Sequence, residues 1–293
     1  YEIMSSDWSS DVCSSELYLD GQPLGTVLRH LRDRPREPFL RFAITALVET
    51  LSGLQHAHEL TDYDGAPVGV VHRDMTPQNV FVTFEGQVKI VDFGIAKALD
   101  SNAETVAGTF KGKLGYVPPE QVRGDRLDGR ADVYSVGVML WEALAGRRMW
   151  KGLSEAAVVA RVAKGDLPGA DALPGEVPDA LREICARALA ANPADRTPSA
   201  NELRARLEQV LADLGGPLPR RGLAEIVAGL FAAERAEVRA SIDRQLRIFK
   251  ELSSFEDGTP TGWRKIPHLA AGPPPASGAG EITSRGRRLP SDP

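Results

Sequence analysis

Apolar residues recur three and four positions apart over much of the chain, which is the spacing of an amphipathic helix. The pattern is clearest over 39–60, and we predict a long core helix there. Its apolar positions are Phe39, Phe42, Ala43, Ala46, Leu47, Leu51 and Leu54. Segment 131–144 is apolar on all faces, which indicates a helix buried on every side. The helical spacing also predicts shorter helices over 24–31, 154–163, 178–190 and 199–211.

Two short runs rich in β-branched residues, 79–82 and 88–91, flank a Glu-Gly turn at 85–86 and predict a β-hairpin. The hairpin places Asn79, at the start of one strand, beside Asp92, just past the end of the other. Together these elements predict an α+β fold that is mostly helical and carries small β-hairpins.

A stretch rich in glycine and proline at 215–221 separates these helices from a C-terminal extension. Apolar residues at helical spacing predict an amphipathic helix or helix pair within 212–257. They are Leu223, Ile226, Val227, Leu230, Val238, Ile242, Leu246 and Phe249. Two interpretations stay open: the extension packs on its own domain, or its segment 223–252 binds a partner. Glycine, proline and serine dominate 258–293, which predicts a disordered tail.

The charged and hydrophobic fractions of the 293 residues, 26% and 42%, are those of a soluble globular protein. The net charge of −5 gives no indication of a nucleic-acid or membrane partner. No apolar run reaches the ~20 residues of a membrane-spanning helix. The two cysteines, Cys13 and Cys185, lack metal-binding spacing and suit a reducing compartment. We therefore expect a cytoplasmic protein.

The chain starts at Tyr1, and its first residues form a short-period, serine-rich segment without strand alternation. We interpret 1–17 as an anomalous segment that is not native to the protein, with a divergent linker as the alternative.

The stretch 72–79 reads His-Arg-Asp-Met-Thr-Pro-Gln-Asn, and Asp92-Phe93-Gly94 begins thirteen residues after its end. Three further motifs follow in order: Pro118-Pro119-Glu120, Asp132-Val133-Tyr134-Ser135-Val136-Gly137 and Asn192-Pro193-Ala194-Asp195-Arg196. Each motif alone is a weak signal, whereas the ordered set of five is specific. Over residues 18–211 the set resembles the C-terminal lobe of a eukaryotic-type (bacterial) serine/threonine protein kinase.

The resemblance implies an enzyme that transfers the γ-phosphoryl group of ATP to serine or threonine hydroxyls of proteins, with Mg²⁺ (or Mn²⁺) as the metal. Its partners would be ATP and a protein substrate. Pro77, three residues after Asp74, favours serine and threonine over tyrosine as acceptors. Two alternatives stay open, namely a small-molecule phosphotransferase of related fold and a non-catalytic, pseudokinase-like binding module.

The family pattern also implies roles for single residues. Asp74 would be the catalytic base, and Asn79 and Asp92 would bind the metal and, through it, the nucleotide.

Arg73 is implied to pair with a phosphate on the activation segment. We predict Thr109 as the first choice for that phosphosite and Thr105 as the second.

Four residues are implied to be structural. His72 would pack beneath the Asp-Phe-Gly turn, Glu120 and Arg196 would form a buried ion pair, and Asp132 would accept backbone N–H groups of the 72–79 loop.

Two positions depart from the family pattern together. Lysine is usual two residues after the catalytic aspartate, where this chain has Thr76, and threonine or serine is usual where it has Lys113. We hypothesise that Lys113 supplies, from the opposite loop, the ammonium group that Thr76 does not, which makes Lys113 a second catalytic residue. In the alternative interpretation Lys113 is a solvated loop lysine and activity is weakened.

A glycine-rich phosphate loop, a strand lysine and a helix glutamate precede this lobe in the family. None is recognisable here, and the first lysine of the chain is Lys89. We therefore expect that the N-terminal lobe is missing and that the chain as given has weak activity or none.

Overall fold

The computed structural model describes residues 19–93 and 113–256, without the side chains at 170 and 249–256. The chain divides into two units, of which the first ends at Arg235 and the second begins at Ala236. The first unit is mostly helical and contains one small sheet, which confirms the predicted α+β class.

Nine α-helices lie within the described residues. They are α1 (Leu24–Leu31), α2 (Arg36–His58), α3 (Pro119–Arg123), α4 (Arg130–Ala145), α5 (Glu155–Lys164), α6 (Asp179–Ala188), α7 (Ala200–Asp213), α8 (Arg220–Leu230) and α9 (Ala232–Glu256). Short 3₁₀ turns occur at Leu114–Tyr116, Ala170–Ala172 and Pro193–Asp195. The predicted helices of the first unit are all present, with ends that differ by up to three residues. Helix α3 has no counterpart among them, because five residues are too few to show a helical period.

The core forms where α2 packs against α4 and α7. All residues of α4 except Arg130, Glu142 and Ala145 are buried, which explains why its sequence lacks a polar face. A Cβ atom at Gly137 would lie 2.9 Å from the Cβ of Ala188, so glycine at this position allows α4 to approach α6 closely.

Three antiparallel strands form the sheet in the order β1 (Gly21–Pro23), β2 (Val80–Thr83) and β3 (Val88–Ile90). The β2–β3 hairpin confirms the prediction, and Gly86 closes its turn with a φ of 78°. Strand β1 is an additional element that the sequence pattern does not reveal. It approaches β2 so closely that a Cβ atom at Gly21 would lie 2.6 Å from the Val82 carbonyl oxygen.

Helix α7 begins with a side-chain cap. The Ser199 hydroxyl oxygen accepts the N–H of Glu202 at 3.1 Å. The carboxylate of Glu202 pairs with Arg206 at 3.0 Å, one turn further along the helix.

The C-terminal extension is a helix pair. Helix α8 packs against β2 and α1 of the same unit and buries Leu223 and Val227. The ring of Phe231, the residue after α8, lies 4.7 Å from that of His30. Arg235 donates to the Asp20 carboxylate at 2.6 Å. The extension up to Arg235 therefore packs on its own domain.

Residues 236–256 of α9 form a separate unit. Val238, Leu246 and Ile248 are 41%, 52% and 52% exposed, so the binding of a partner there stays a prediction. The domain limit at 17 and the disordered tail over 258–293 fall on residues outside the described ranges, and both stay predictions. The domain limit at 211 also stays a prediction. None of the helices described here is long and apolar enough to span a membrane.

Candidate active site

One buried carboxylate holds the loop that begins at His72. Asp132, in the first turn of α4, accepts the backbone N–H of His72 at 2.9 Å and that of Arg73 at 3.0 Å. The Nε2 atom of His58, the last residue of α2, lies 2.8 Å from the same carboxylate. Asp132 is 0% exposed, so these contacts replace the hydrogen bonds to water that the carboxylate loses on burial.

The His72 side chain connects this loop to the segment after β3. Its Nε2 atom donates to the Val91 carbonyl at 2.9 Å, and its Nδ1 atom accepts the N–H of Asp74 at 3.3 Å. Its ring also lies 4.6 Å from the ring of Phe93. One imidazole therefore fixes the spacing between Asp74 and the residues around Asp92.

Arg73 and Asp92 adopt left-handed backbone conformations, with φ values of 66° and 57°. Within the described ranges they are the two non-glycine residues with positive φ. Each conformation costs roughly 1–2 kcal/mol and persists only where the surroundings enforce it. For Arg73 the restraints are the bond from its N–H to Asp132 and a bond from Gln121 Nε2 to its carbonyl at 3.0 Å.

Asn79 lies against Asp74, as the loop spacing predicts. Its Nδ2 atom donates to the Asp74 carbonyl oxygen at 2.7 Å and lies 3.5 Å from the Asp74 carboxylate. The backbone oxygen of Asn79 accepts the N–H of Val91 at 2.9 Å, which places the next residue, Asp92, beside it along the hairpin. Asp92 is exposed, whereas Asn79 is 3% exposed.

The donor set of these two residues fits a divalent cation. The amide nitrogen of Asn79 is used by Asp74, which leaves Oδ1 as the atom that can face a metal. The carboxylate of Asp92 would be the second hard oxygen ligand, and Mg²⁺ commonly uses one or two protein ligands together with substrate phosphates.

Lys113 reaches Asp74 from the opposite side. Its Nζ atom lies 3.0 Å from Asp74 Oδ2, and the two side chains are 35% and 14% exposed. Thr76, 1% exposed, has a hydroxyl with no hydrogen-bond partner in the part of the chain that the structure describes. Lys113 therefore places a cation beside Asp74, and its role as a second catalytic residue stays a prediction.

The turn that follows Lys113 is attached to α4 and to the segment after it. Trp150 Nε1 donates to the Gly115 carbonyl at 3.1 Å, and Ser135 Oγ donates to the Tyr116 carbonyl at 2.8 Å. A Cβ atom at Gly115 would lie 2.8 Å from the Trp150 indole, so only glycine permits this contact. The start of the turn, and with it Lys113, is thereby positioned.

The Tyr116 hydroxyl donates to Glu142 at 2.8 Å, and Arg148 donates to the same hydroxyl. Burial raises the pKa of the Tyr116 phenol, and the negative charge of Glu142 raises it further. Burial also raises the pKa of the Glu142 carboxyl, against the opposing charge of Arg148. The phenol therefore remains a hydrogen-bond donor at neutral pH.

Glu120 and Arg196 form a buried, two-pronged ion pair with N–O distances of 2.6 and 3.0 Å. Their side chains are 5% and 0% exposed. Arg196 also donates to the carbonyl oxygens of Ala190 at 3.0 Å and Arg130 at 2.7 Å. The pair ties α3, which follows the Lys113 turn, to the start of α4.

Two residues of the site are absent from the sequence-based set. His58 contacts Asp132 across 74 positions of sequence, and Gln121 contacts Arg73 across 48. Neither lies in a motif with local spacing, so no local pattern marks them. The predicted phosphosites Thr109 and Thr105 lie outside the described residues, and the pairing of Arg73 with a phosphate stays a prediction.

Comparison with known proteins identifies the family. The model of the protein kinase domain matches residues 18–206. The chain is 37% identical over 228 residues to the tyrosine-protein kinase MasK of Myxococcus xanthus. The matched region covers 77% of this chain and 35% of MasK.

Two mycobacterial proteins are similarly related. The serine/threonine-protein kinase PknL of Mycobacterium tuberculosis is 37% identical over 183 residues, covering 62% of this chain and 44% of PknL. The serine/threonine-protein kinase PknA of the same organism is 36% identical over 201 residues, covering 69% of this chain and 43% of PknA. The chain thus spans less than half the length of these relatives, and it belongs to the protein kinase family.

Proposed function

We propose that the chain carries the catalytic loop of a kinase that transfers the γ-phosphoryl group of ATP to serine or threonine hydroxyls of proteins. One observation supports this most strongly. The Asp74 carboxylate lies 3.0 Å from the Lys113 ammonium, while the Asn79 amide nitrogen lies 2.7 Å from the Asp74 carbonyl oxygen.

In the proposed reaction Asp74 accepts the hydrogen bond of the substrate hydroxyl and then its proton. The hydroxyl oxygen forms a new bond to the γ-phosphorus as the bond to the bridging oxygen of ADP breaks. Lys113, beside Asp74, stabilises the negative charge of the transferring phosphoryl group. From the opposite loop it would take the place of the lysine that is usual in the family pattern where this chain has Thr76.

Asn79 and Asp92 are the residues proposed to hold Mg²⁺ or Mn²⁺. A bound cation of this kind neutralises charge on the nucleotide phosphates. The chain's own contribution is to fix the amide of Asn79 through Asp74 and to hold Asp92 in its left-handed conformation.

Serine and threonine are the proposed acceptors because PknL and PknA are serine/threonine kinases and Pro77 follows Asp74 by three residues. MasK is a tyrosine-protein kinase, so identifying the phosphorylated residue is the decisive measurement. We expect low activity from the 293-residue chain, because no lysine precedes Lys89 to meet the α- and β-phosphates.

The test compares the 293-residue chain with Asp74→Asn. We expect Mg²⁺-dependent transfer of labelled γ-phosphate to protein serine or threonine, identified by mass spectrometry. Asp74→Asn should lower this rate by about 10²–10⁴-fold, because the base is lost while its shape is kept. The matched control is Asp64→Asn, an exposed loop aspartate, which should leave the rate unchanged.

A second measurement applies if the rate of phosphoryl transfer is too low to quantify. Nucleotide with Mg²⁺ should raise the melting temperature, and Asp92→Asn should remove that increase. Transfer that is unchanged in Asp74→Asn, or labelling confined to tyrosine, would contradict the proposal.

A further inference from the structure

A cleft beside the catalytic loop is lined by four exposed arginines. Arg29 and Arg32 lie at the end of α1, and Arg147 and Arg148 follow the end of α4. The cleft has a volume of about 560 Å³, counted with the solvent space at its mouth. We call it the arginine cleft.

The arginine cleft has a large excess of positive charge. Glu142 is the one carboxylate among its lining residues, and both of its oxygens are occupied. Oε2 accepts the Tyr116 hydroxyl at 2.8 Å and lies 3.3 Å from Arg148, and Oε1 accepts the N–H of Met149 at 3.0 Å. The chain as a whole carries a net charge of −5, so this positive charge is local.

The cleft lies next to the proposed site of transfer. Pro77, three residues after Asp74, lines it, and the Pro77 carbonyl accepts the N–H of Gly25 on α1 at 2.9 Å. On the other side, Glu142 bonds Tyr116 in the turn that begins after Lys113. An extended peptide advances about 3.3 Å per residue, so residues a few positions from a hydroxyl at Asp74 can reach the cleft.

Two of the arginines are held in place by aromatic rings. Arg147 lies over the Trp141 ring at 4.8 Å, and Arg148 lies over the Tyr116 ring at 5.8 Å. All four also lie near the C-terminal ends of helices, where a cation is stabilising. This stabilisation accounts for each arginine individually. It does not explain why arginines from two separate helices lie in the same cleft.

We propose that the arginine cleft binds acidic residues that flank the acceptor hydroxyl in the protein substrate. Guanidinium groups bind carboxylates through paired hydrogen bonds, and an exposed cluster of them next to the reacting loop selects acidic over basic sequences. The inference rests on the proposed function, because the cleft lies beside the loop that would carry out the transfer.

The experiment measures peptide binding by fluorescence anisotropy with the 293-residue chain. The probes are labelled peptides with one serine flanked by glutamates, and matched peptides with glutamines or arginines in their place. The glutamate peptide should bind about 10-fold more tightly than the glutamine peptide, the effect of two or three exposed ion pairs. The preference should weaken with added salt.

The test variant is Arg29→Gln/Arg32→Gln, which spares the two arginines that contact aromatic rings. It should reduce the glutamate-over-glutamine preference by about 3-fold or more. The matched control is Arg187→Gln/Arg244→Gln, two exposed arginines outside the cleft, which should keep the preference.

Equal binding of the glutamate and glutamine peptides, tighter binding of the arginine peptide, or an equal loss in the control pair would each overturn the proposal. Binding does not require transfer, so the two proposals fail separately. Acidic peptides that bind through Arg29 and Arg32, while the chain shows neither transfer nor a rise in melting temperature with nucleotide and Mg²⁺, would contradict the proposed function alone. Phosphorylation without acidic preference would contradict the arginine cleft alone.

Discussion

Two groups of carboxylates lie close together in this fold and have opposite environments. Asp132 and Glu120 are 0% and 3% exposed, and donors from the chain itself surround them. Asp74 keeps 14% of its side chain exposed, and Asp92 is exposed at the end of the hairpin. The buried group fixes the backbone of the loop, and the exposed group faces the solvent from which substrate and metal would come. Stability and phosphoryl transfer should therefore depend on different acids.

The strongest test of the difference between the two groups leaves one buried charge without its partner. Arg196→Met removes the guanidinium that contacts Glu120 at 2.6 and 3.0 Å. We expect the free energy of unfolding to fall by about 3–5 kcal/mol, because Glu120 would then be a buried carboxylate without a counter-charge. Urea denaturation monitored by circular dichroism measures this loss.

The double variant Glu120→Gln/Arg196→Met is the control for that interpretation. It removes both charges, so it should lose less stability than Arg196→Met alone. If the double variant is the less stable of the two, the ion pair itself stabilises the fold, and an unpaired charge is not the cause.

The sequence predicts some parts of this structure and not others. The helices, the β2–β3 hairpin and the closeness of Asn79 to Asp74 follow from local spacing, because periodicity and short loops determine them. His58 and Gln121 contact their partners across 74 and 48 positions, and strand β1 is three residues long. Such features depend on how helices pack, which no local pattern encodes.

The exposed group is tested by removing the cation beside Asp74. Lys113→Ala should cost less than about 1 kcal/mol of stability, because the ion pair is partly exposed to solvent. It should lower kcat/KM for phosphoryl transfer by about 10- to 100-fold, since we propose that the ammonium group stabilises the transferring phosphoryl group. A radiolabel transfer assay and a urea titration on the same samples measure both quantities.

Lys164→Ala is the matched control, because Lys164 is exposed at the end of α5 and lies outside the site. It should leave both quantities unchanged. A Lys113→Ala chain that transfers phosphate at the original rate would show that Lys113 is a solvated loop lysine.

The smallest expected effect concerns the connection between the two groups. Trp150→Phe removes the hydrogen bond to the Gly115 carbonyl, 3.1 Å long, that positions the turn after Lys113. We expect a loss of about 1 kcal/mol in stability and a decrease of a few-fold in kcat/KM. A double-mutant cycle with Lys113→Ala separates positioning from general destabilisation. If Trp150 acts by placing Lys113, its effect on the rate disappears in the Lys113→Ala background while its effect on stability remains. Rate losses that multiply in the double variant would mean that the indole and the lysine act independently. In that case the turn held by Trp150 would not position Lys113.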